Sequence, residues 1–226
     1  MTIIKQQDLI DSIADSLQYI SYFHPLDYIQ ALGEAYKAEQ SPAAKDAIAQ
    51  ILTNSRMCAE GHRPICQDTG IVVVFLKIGM NVRFEGTMPL DDMINEGVRK
   101  GYLDPDNKLR ASIVNDPAGK RTNTKDNTPA VIHIQMVAGD KLEIDIAAKG
   151  GGSENKAKFT MLNPSDSIVD WVVKTVPTMG AGWCPPGMLG IGIGGTAEKA
   201  ALLAKESLMD DIDMYELQAK AAKGDK

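Results

Sequence analysis

The chain has 226 residues, 44% of them hydrophobic and 24% charged, with a net charge of −6 at pH 7. This composition suits a globular protein with one large or two small cores, and the acidic balance excludes a general nucleic-acid surface, which needs a basic stripe to neutralise phosphates. Three cysteines, no apolar signal-peptide core at the start and no apolar run long enough for a membrane span point to a cytoplasmic protein with free or metal-bound thiols.

Residues 8–58 read as helical. Leu9, Ile10, Ile13, Leu17 and Ile20 recur at the three- and four-residue spacing of one buried helix face. His24-Pro25 breaks the pattern, and a second helix is expected from about Leu26 to Lys37. Ser41-Pro42 is an N-cap followed by proline at the first helical position, and Ala44, Ile48, Ile51, Leu52 and Ser55 form the inward stripe of a third helix. Gly61 and Pro64 end the helical region and deliver Cys66 on a loop.

Ile71 to Leu76 is short, β-branched and continuously apolar, which predicts a fully buried strand. Pro89 to Leu103 predicts a helix, with Asp91 and Asp92 near the positive end of its dipole. Residues 104–129 form the longest polar, loop-like stretch. Val131–Val137 and Lys141–Ala148 are expected to pair as a hairpin around Gly139-Asp140. Beyond Gly150–Gly152, a helix is expected from Asn163-Pro164 to Val176 and a loop from Pro177 to Pro186. A Gly-interrupted strand over Met188–Ile193, a helix over Thr196–Leu208 and a fraying end from Ala219 complete the reading. The expected class is α+β (mixed α/β), helical over residues 1–62 and mixed over residues 63–226.

The chemistry concentrates at breaker-rich turns. Cys66 stands in Ile65-Cys66-Gln67-Asp68-Thr69-Gly70, and Cys184 in Gly182-Trp183-Cys184-Pro185-Pro186-Gly187. Such turns can present a thiolate to a metal, whereas Cys58 falls near a helix end and reads as structural. Asp68 supplies a carboxylate beside the first thiol, although Asp-Thr-Gly is equally good turn chemistry. Gly150–Gly152 would let backbone N–H groups approach an anion, flanked by Lys149 and Lys156; a flexible strand exit explains the same glycines. Arg110 suits a substrate carboxylate if it points inward. Gly190 to Gly195 matches G-x-G-x-x-G, but with too little chain after it for a βαβ unit, so close backbone packing is the expected use.

Taken in order, Cys66-Gln67-Asp68-Thr69-Gly70, Ala148 to Lys156 and Cys184-Pro185-Pro186 resemble class I fumarate hydratase, the iron–sulfur hydro-lyase family that includes L(+)-tartrate dehydratase. Met57 to Pro64 and Asn163 to Asp166 extend the resemblance over essentially the whole chain. It implies a [4Fe–4S] cluster held by three cysteines, with Cys66 and Cys184 as two ligands and Cys58 as none. It implies that Asp68 is catalytic in proton transfer. Gln67, Arg110, Gly150, Gly151, Ser153, Asn155 and Lys156 then correspond to substrate-binding positions. The implied reaction is reversible hydration of fumarate to (S)-malate, a tricarboxylic acid cycle step, with tartrate dehydration as the near alternative. The implied partners are a small dicarboxylate, a C-terminal domain or β subunit, and a second copy in a homodimer, with no nucleic acid or membrane. The family's third cluster cysteine has no counterpart before Lys226, so the chain is expected to be the N-terminal part of the catalytic domain. An inactive subunit needing a partner is the alternative of another class. A mononuclear metal held by Cys58, His62 and Cys66 is a third.

Overall fold

The computed structural model describes residues 1–184 and 186–224. A short strand, β1 (Thr2–Lys5), precedes three helices: α1 (Gln6–Tyr22), α2 (Leu26–Ala38) and α3 (Pro42–Gly61). Ser41 caps α3 by accepting the Ala44 N–H, with Pro42 at the first position as expected. Next come β2 (Ile71–Gly79), β3 (Val82–Glu85) and α4 (Leu90–Tyr102). The polar stretch that follows carries two short strands, β4 (Val114–Asn115) and β5 (Thr122–Asn123), paired antiparallel. Strands β6 (Val131–Val137) and β7 (Leu142–Lys149) lead to a single turn, α5 (Gly151–Glu154). Helices α6 (Ile168–Thr175), α7 (Ala197–Glu206) and α8 (Met214–Lys223) follow, α6 and α7 each running into a 3-10 turn. The class is α+β.

Strand β2 is the centre of the molecule. Val72, Val74, Leu76 and Ile78 share one face of it and pack with Leu9, Ile10, Ile13 and Leu17 of α1 and with Met93, Ile94, Val98 and Tyr102 of α4. Gly97 and Gly101, one turn apart on α4, let α1 approach closely: a methyl group at Gly97 would stand 2.7 Å from Ile13 Cβ. Ile13 and Ile94 are wholly buried, so truncating either to alanine is expected to cost about 2–5 kcal/mol.

The expected hairpin does not form. Strand β2 lies between β6 and β7, parallel to β6 and antiparallel to β7. The connection between β6 and β7 passes over the end of β2, where Gly79 N–H donates to Lys141 O and Asn81 N–H to Gly139 O. A Cβ at Gly79 would stand 2.6 Å from Gly139 O, so the crossing needs glycine there. The turn signal is real, but the strand it joins pairs with a segment some sixty residues earlier.

Three further expectations are corrected. Residues 188–193 are not a strand: they lie on α7, where a side chain at Gly190 or Gly192 would run into the carbonyls of Ala204 and Ala200. Helix α6 starts at Ile168 with Ser167 as its cap, because Asn163 and Asp166 close their own turn. From Met214 to Lys223 the chain forms α8, capped by Asp213, where fraying is expected from Ala219; Asp225 and Lys226 lie outside the described residues.

This topology decides where the chemistry sits. Ile71 at the start of β2 pairs with Lys149 at the end of β7, and Val131 at the start of β6 lies beside Val73. Segments 66–70, 127–130 and 150–156 therefore all emerge at one end of the sheet.

Candidate active site

Helix α3 ends at His62, a left-handed C-cap with φ 47°. The chain is then tied down: Ile65 N–H donates to Ser21 O at 2.8 Å and Asn54 Nδ2 donates to Ile65 O at 2.9 Å. It reaches β2 through Cys66, Gln67, Asp68, Thr69 and Gly70. Asp68 N–H donates to Cys66 Sγ at 3.4 Å, and the thiol lies 3.4 Å from Gln67 Oε1. Gly70 has φ 87°, and a methyl group there would stand 2.5 Å from the Ala148 carbonyl carbon. Only glycine fits this turn beside β7.

Asp68 joins the two principal motifs. Its Oδ1 accepts the Gly70 N–H at 3.2 Å and its Oδ2 accepts the Gly151 N–H at 2.8 Å. A methyl group at Gly150 would lie 3.1 Å from Asp68 Oδ2, so the glycine run admits the carboxylate. The sequence suggests a cradle for an external anion, whereas in the structure the chain's own carboxylate takes one of its N–H groups.

The third motif meets the second. A methyl group at Gly152 would stand 2.5 Å from Gly182 O, and one at Gly182 would stand 2.9 Å from Lys156 Cε. The loop that carries Cys184 thus packs on the glycine run, with Cys184 two residues past the contact. Cys184 is exposed and has a left-handed φ of 57°; Pro185, part of the quoted motif, lies outside the described residues.

The structure places the other predicted residues around this line. Gln67 and Arg110 are exposed, and Thr69 Oγ1 donates to Arg110 O at 2.7 Å, which fixes that backbone beside the loop. Ser153 and Lys156 are half-buried and Asn155 is exposed, all three on or just after α5. Glu154, on the same turn, accepts from Lys205 at 2.6 Å and from Lys149 at 3.2 Å, which anchors α7 to the site. Burial pushes the Glu154 carboxyl up, but the hydrogen bonds from Lys205 and Lys149 outweigh it and hold the group below its ordinary value.

Two supporting residues carry no signal in the sequence. Tyr102 is fully buried and donates to Thr69 O at 2.6 Å, with Gly70 O at 3.2 Å. Burial raises its pKa well above normal despite the Thr69 hydrogen bond, and the Asp68 charge acts in the same direction, so the phenol stays a donor. Asn127 is also fully buried and donates to Gly70 O at 3.0 Å. Tyr102 hides in the apolar stripe of α4, and Asn127 in a polar loop, where no spacing marks either.

Cys66 and Cys184 are free and exposed, the soft donors that suit iron–sulfur ligation. Cys58 is buried, and its thiol lies within donor range of Asn54 Oδ1 and Pro64 O, at 3.6 and 3.7 Å. His62 stacks on Tyr22. Cys58, His62 and Cys66, the ligands of the mononuclear alternative, are not grouped around a common point among the described residues. Among the described residues, no group of three or more His, Cys, Asp or Glu side chains is arranged to hold a metal ion. Of the three thiols, those of Cys66 and Cys184 are exposed and that of Cys58 is buried.

A cavity of about 340 Å³ opens elsewhere, lined in part by Asn95, Arg99, Thr124 and Asp126. It contains none of the predicted site residues, and its strongest charges are spent on each other: Arg99 Nε lies 2.9 Å from Asp126 Oδ2. The motif cluster is the better candidate, because its groups converge from three separate segments. Among the described residues, no helix is long and apolar enough to cross a membrane.

Comparison with known proteins gives a family match over most of the chain and several relatives. The sequence model of a family described as fumarate hydratase (Fumerase) matches residues 10–226. The chain is 38% identical over 209 residues to a putative L(+)-tartrate dehydratase subunit alpha of Methanocaldococcus jannaschii, covering 89% of this chain and 72% of the relative. It is 27% identical over 217 residues to the L(+)-tartrate dehydratase subunit alpha of Escherichia coli O157:H7, covering 95% of this chain and 71% of the relative. The corresponding subunit of Shigella sonnei shows the same 27% identity over 217 residues, with the same 95% and 71% coverage.

Proposed function

The chain belongs to the fumarate hydratase (Fumerase) family of hydro-lyases, and from that premise we propose that it carries the proton-transfer half of a site that reversibly hydrates fumarate to (S)-malate. The observation that carries the reading is the Asp68–Gly151 hydrogen bond at 2.8 Å, which unites the Cys66–Gly70 and Gly150–Lys156 motifs at one sheet end. In the hydration direction Asp68 takes the proton of the attacking water as the C–O bond forms, a proton drawn from solvent is delivered to the adjacent carbon, and Asp68 then releases its own proton to solvent. In dehydration each transfer runs in reverse, Asp68 protonating the departing hydroxyl. The N–H groups of Gly70 and Gly151 aim its two oxygens throughout. Gln67, Arg110, Ser153, Asn155 and Lys156 supply donors for the substrate carboxylates, and the Gly150–Gly151 backbone lets the substrate approach.

Cys66 and Cys184 would hold a [4Fe–4S] cluster, which when bound supplies a Lewis-acidic iron to polarise the substrate's hydroxyl and carboxylate. The chain works as the α-type part of a larger assembly; the relatives' description as alpha subunits supports a β-type partner. Those same names favour a second reading, elimination of water from L(+)-tartrate, which asks the same of Asp68.

Anaerobic reconstitution with iron and sulfide, with the partner subunit present, tests the proposal by assaying both substrates. Fumarate turnover exceeding tartrate turnover is the expected result. A clear preference for tartrate moves the assignment to the second reading. Turnover of neither substrate by a cluster-loaded assembly overturns both.

A further inference from the structure

Asp68 and Arg110 are 42 residues apart in the sequence, yet the hydrogen bond from Thr69 Oγ1 to Arg110 O at 2.7 Å holds their loops side by side. One side chain that touches neither of them spans the gap. Asn127 is 0% exposed, and both ends of its amide are used: Nδ2 donates to Gly70 O at 3.0 Å, while Oδ1 accepts the N–H groups of Ser112 at 2.7 Å and Ile113 at 3.3 Å. Gly70 closes the turn on Asp68, and Ser112 follows Arg110 by two residues. We infer that Asn127 is a positioning residue that sets the Asp68 loop and the Arg110 loop in register at the mouth of the site.

The chemistry of the position requires this residue type. Three backbone partners, one acceptor and two donors, demand a side chain that donates and accepts in one rigid plane. Reversing the amide would place donor against donor, so the partners fix its orientation. Asn127 also has φ 62°, a left-handed conformation that asparagine tolerates far better than most residues. Neighbouring contacts converge on the same short segment: Tyr102 grips the carbonyls of Thr69 and Gly70, and Thr69 Oγ1 holds Arg110 O. Those contacts fix the Asp68 loop against α4 and against Arg110 itself. Asn127 is the buried side chain that ties that loop to the backbone beyond Arg110. Because a carboxylate and a guanidinium must meet one small substrate together, a shift of about 1 Å between their loops can cost on the order of 10²-fold in rate.

This inference rests on the roles proposed for Asp68 and Arg110, but its test does not. Amide hydrogen exchange on the full chain is compared for Asn127→Gly and Asn127→Asp. Glycine removes the side chain without a left-handed penalty; aspartate keeps the acceptor for Ser112 and Ile113 and loses the donor to Gly70. In Asn127→Gly, the amides of Gly70, Gly151, Ser112 and Ile113 should exchange faster by about tenfold or more, with Val74 and Leu76 in β2 unchanged. In Asn127→Asp, only Gly70 and Gly151 should lose protection. If Asn127→Gly fails to fold, the aspartate variant alone decides. Protection unchanged at Gly70 and Gly151, or lost equally across β2, overturns the inference and makes Asn127 an ordinary core residue. In the assembled enzyme Asn127→Asp should lower kcat with KM held, because the Arg110 loop stays anchored; where Asp68→Asn does slow turnover, an unchanged kcat for Asn127→Asp also overturns the inference. A failure of Asp68→Asn to slow turnover, alongside the expected exchange pattern, would sink the proposed reaction and leave the positioning geometry standing.

Discussion

Replacing Asp68 by asparagine separates a structural carboxylate from a catalytic one. The aspartate accepts two backbone N–H groups, from Gly70 at 3.2 Å and Gly151 at 2.8 Å. An asparagine has a single carbonyl oxygen, so one of those N–H groups would face an NH₂ donor. A hydrogen bond to a charged acceptor contributes about 1.5–3 kcal/mol, and the half-buried setting of Asp68 places the loss at the low end, near 1.5 kcal/mol. Proton transfer by a positioned acid or base contributes roughly 10²–10⁴-fold in rate, equivalent to about 3–5 kcal/mol of barrier. Turnover should therefore fall far more than stability does. The assay uses the assembled, cluster-loaded enzyme: iron and sulfide content, denaturant midpoint and fumarate absorbance are measured for both forms. The expected outcome is intact cluster content, a small stability loss and a rate reduced by at least about 10²-fold. A rate within a factor of two of the parent would refute the proton-transfer role and return Asp68 to turn chemistry.

Other outcomes follow from the same geometry. Cys184→Ser and Cys66→Ser should each abolish cluster assembly, whereas Cys58→Ser should not, since that thiol is buried against Asn54 and Pro64; iron and acid-labile sulfide analysis reads the difference. Glu154 is held below its ordinary value of 4.5 by Lys205 and Lys149 against the opposing effect of burial. Its contribution to stability is thus fully present above that value and disappears as pH falls through the lower folded-state value. Comparing unfolding midpoints of the parent and Glu154→Gln across pH 3–7 should show a gap of about 1 kcal/mol at neutral pH that closes in acid. Gly70→Ala should destabilise by at least about 1–2 kcal/mol from its left-handed backbone alone, before the clash with Ala148, as thermal unfolding would show.

The helical half was legible in the sequence because local spacing governs it. The Leu9-Ile10-Ile13-Leu17 stripe, the Ser41-Pro42 cap and the buried run at Val72–Leu76 each depend on neighbours within a turn or a strand. The sheet order was not legible. Gly139-Asp140 marks a turn correctly, but the hairpin expected from it does not form, because insertion of β2 between the two strands depends on a pairing that no local signal encodes. Gly190 and Gly192 were legible as a need for close backbone approach, while what approaches, the carbonyl face of α7, was not. At the site, the motif residues stood out by type and order. Asn127 and Tyr102 did not, since a buried hydrogen-bonding side chain looks in sequence like any loop asparagine or core aromatic.

Shared ligation of one cluster requires Cys66 and Cys184 to face one another across the glycine run, and both thiols are free and exposed while Cys58 is buried. Treatment of the full chain with a short bis-maleimide, followed by peptide mass spectrometry, measures that directly. Convergent thiols should give an intramolecular bridge between residues 66 and 184, formed at protein concentrations too low for intermolecular coupling. Exclusive single modification at the two thiols, with no bridged peptide, would contradict a common centre.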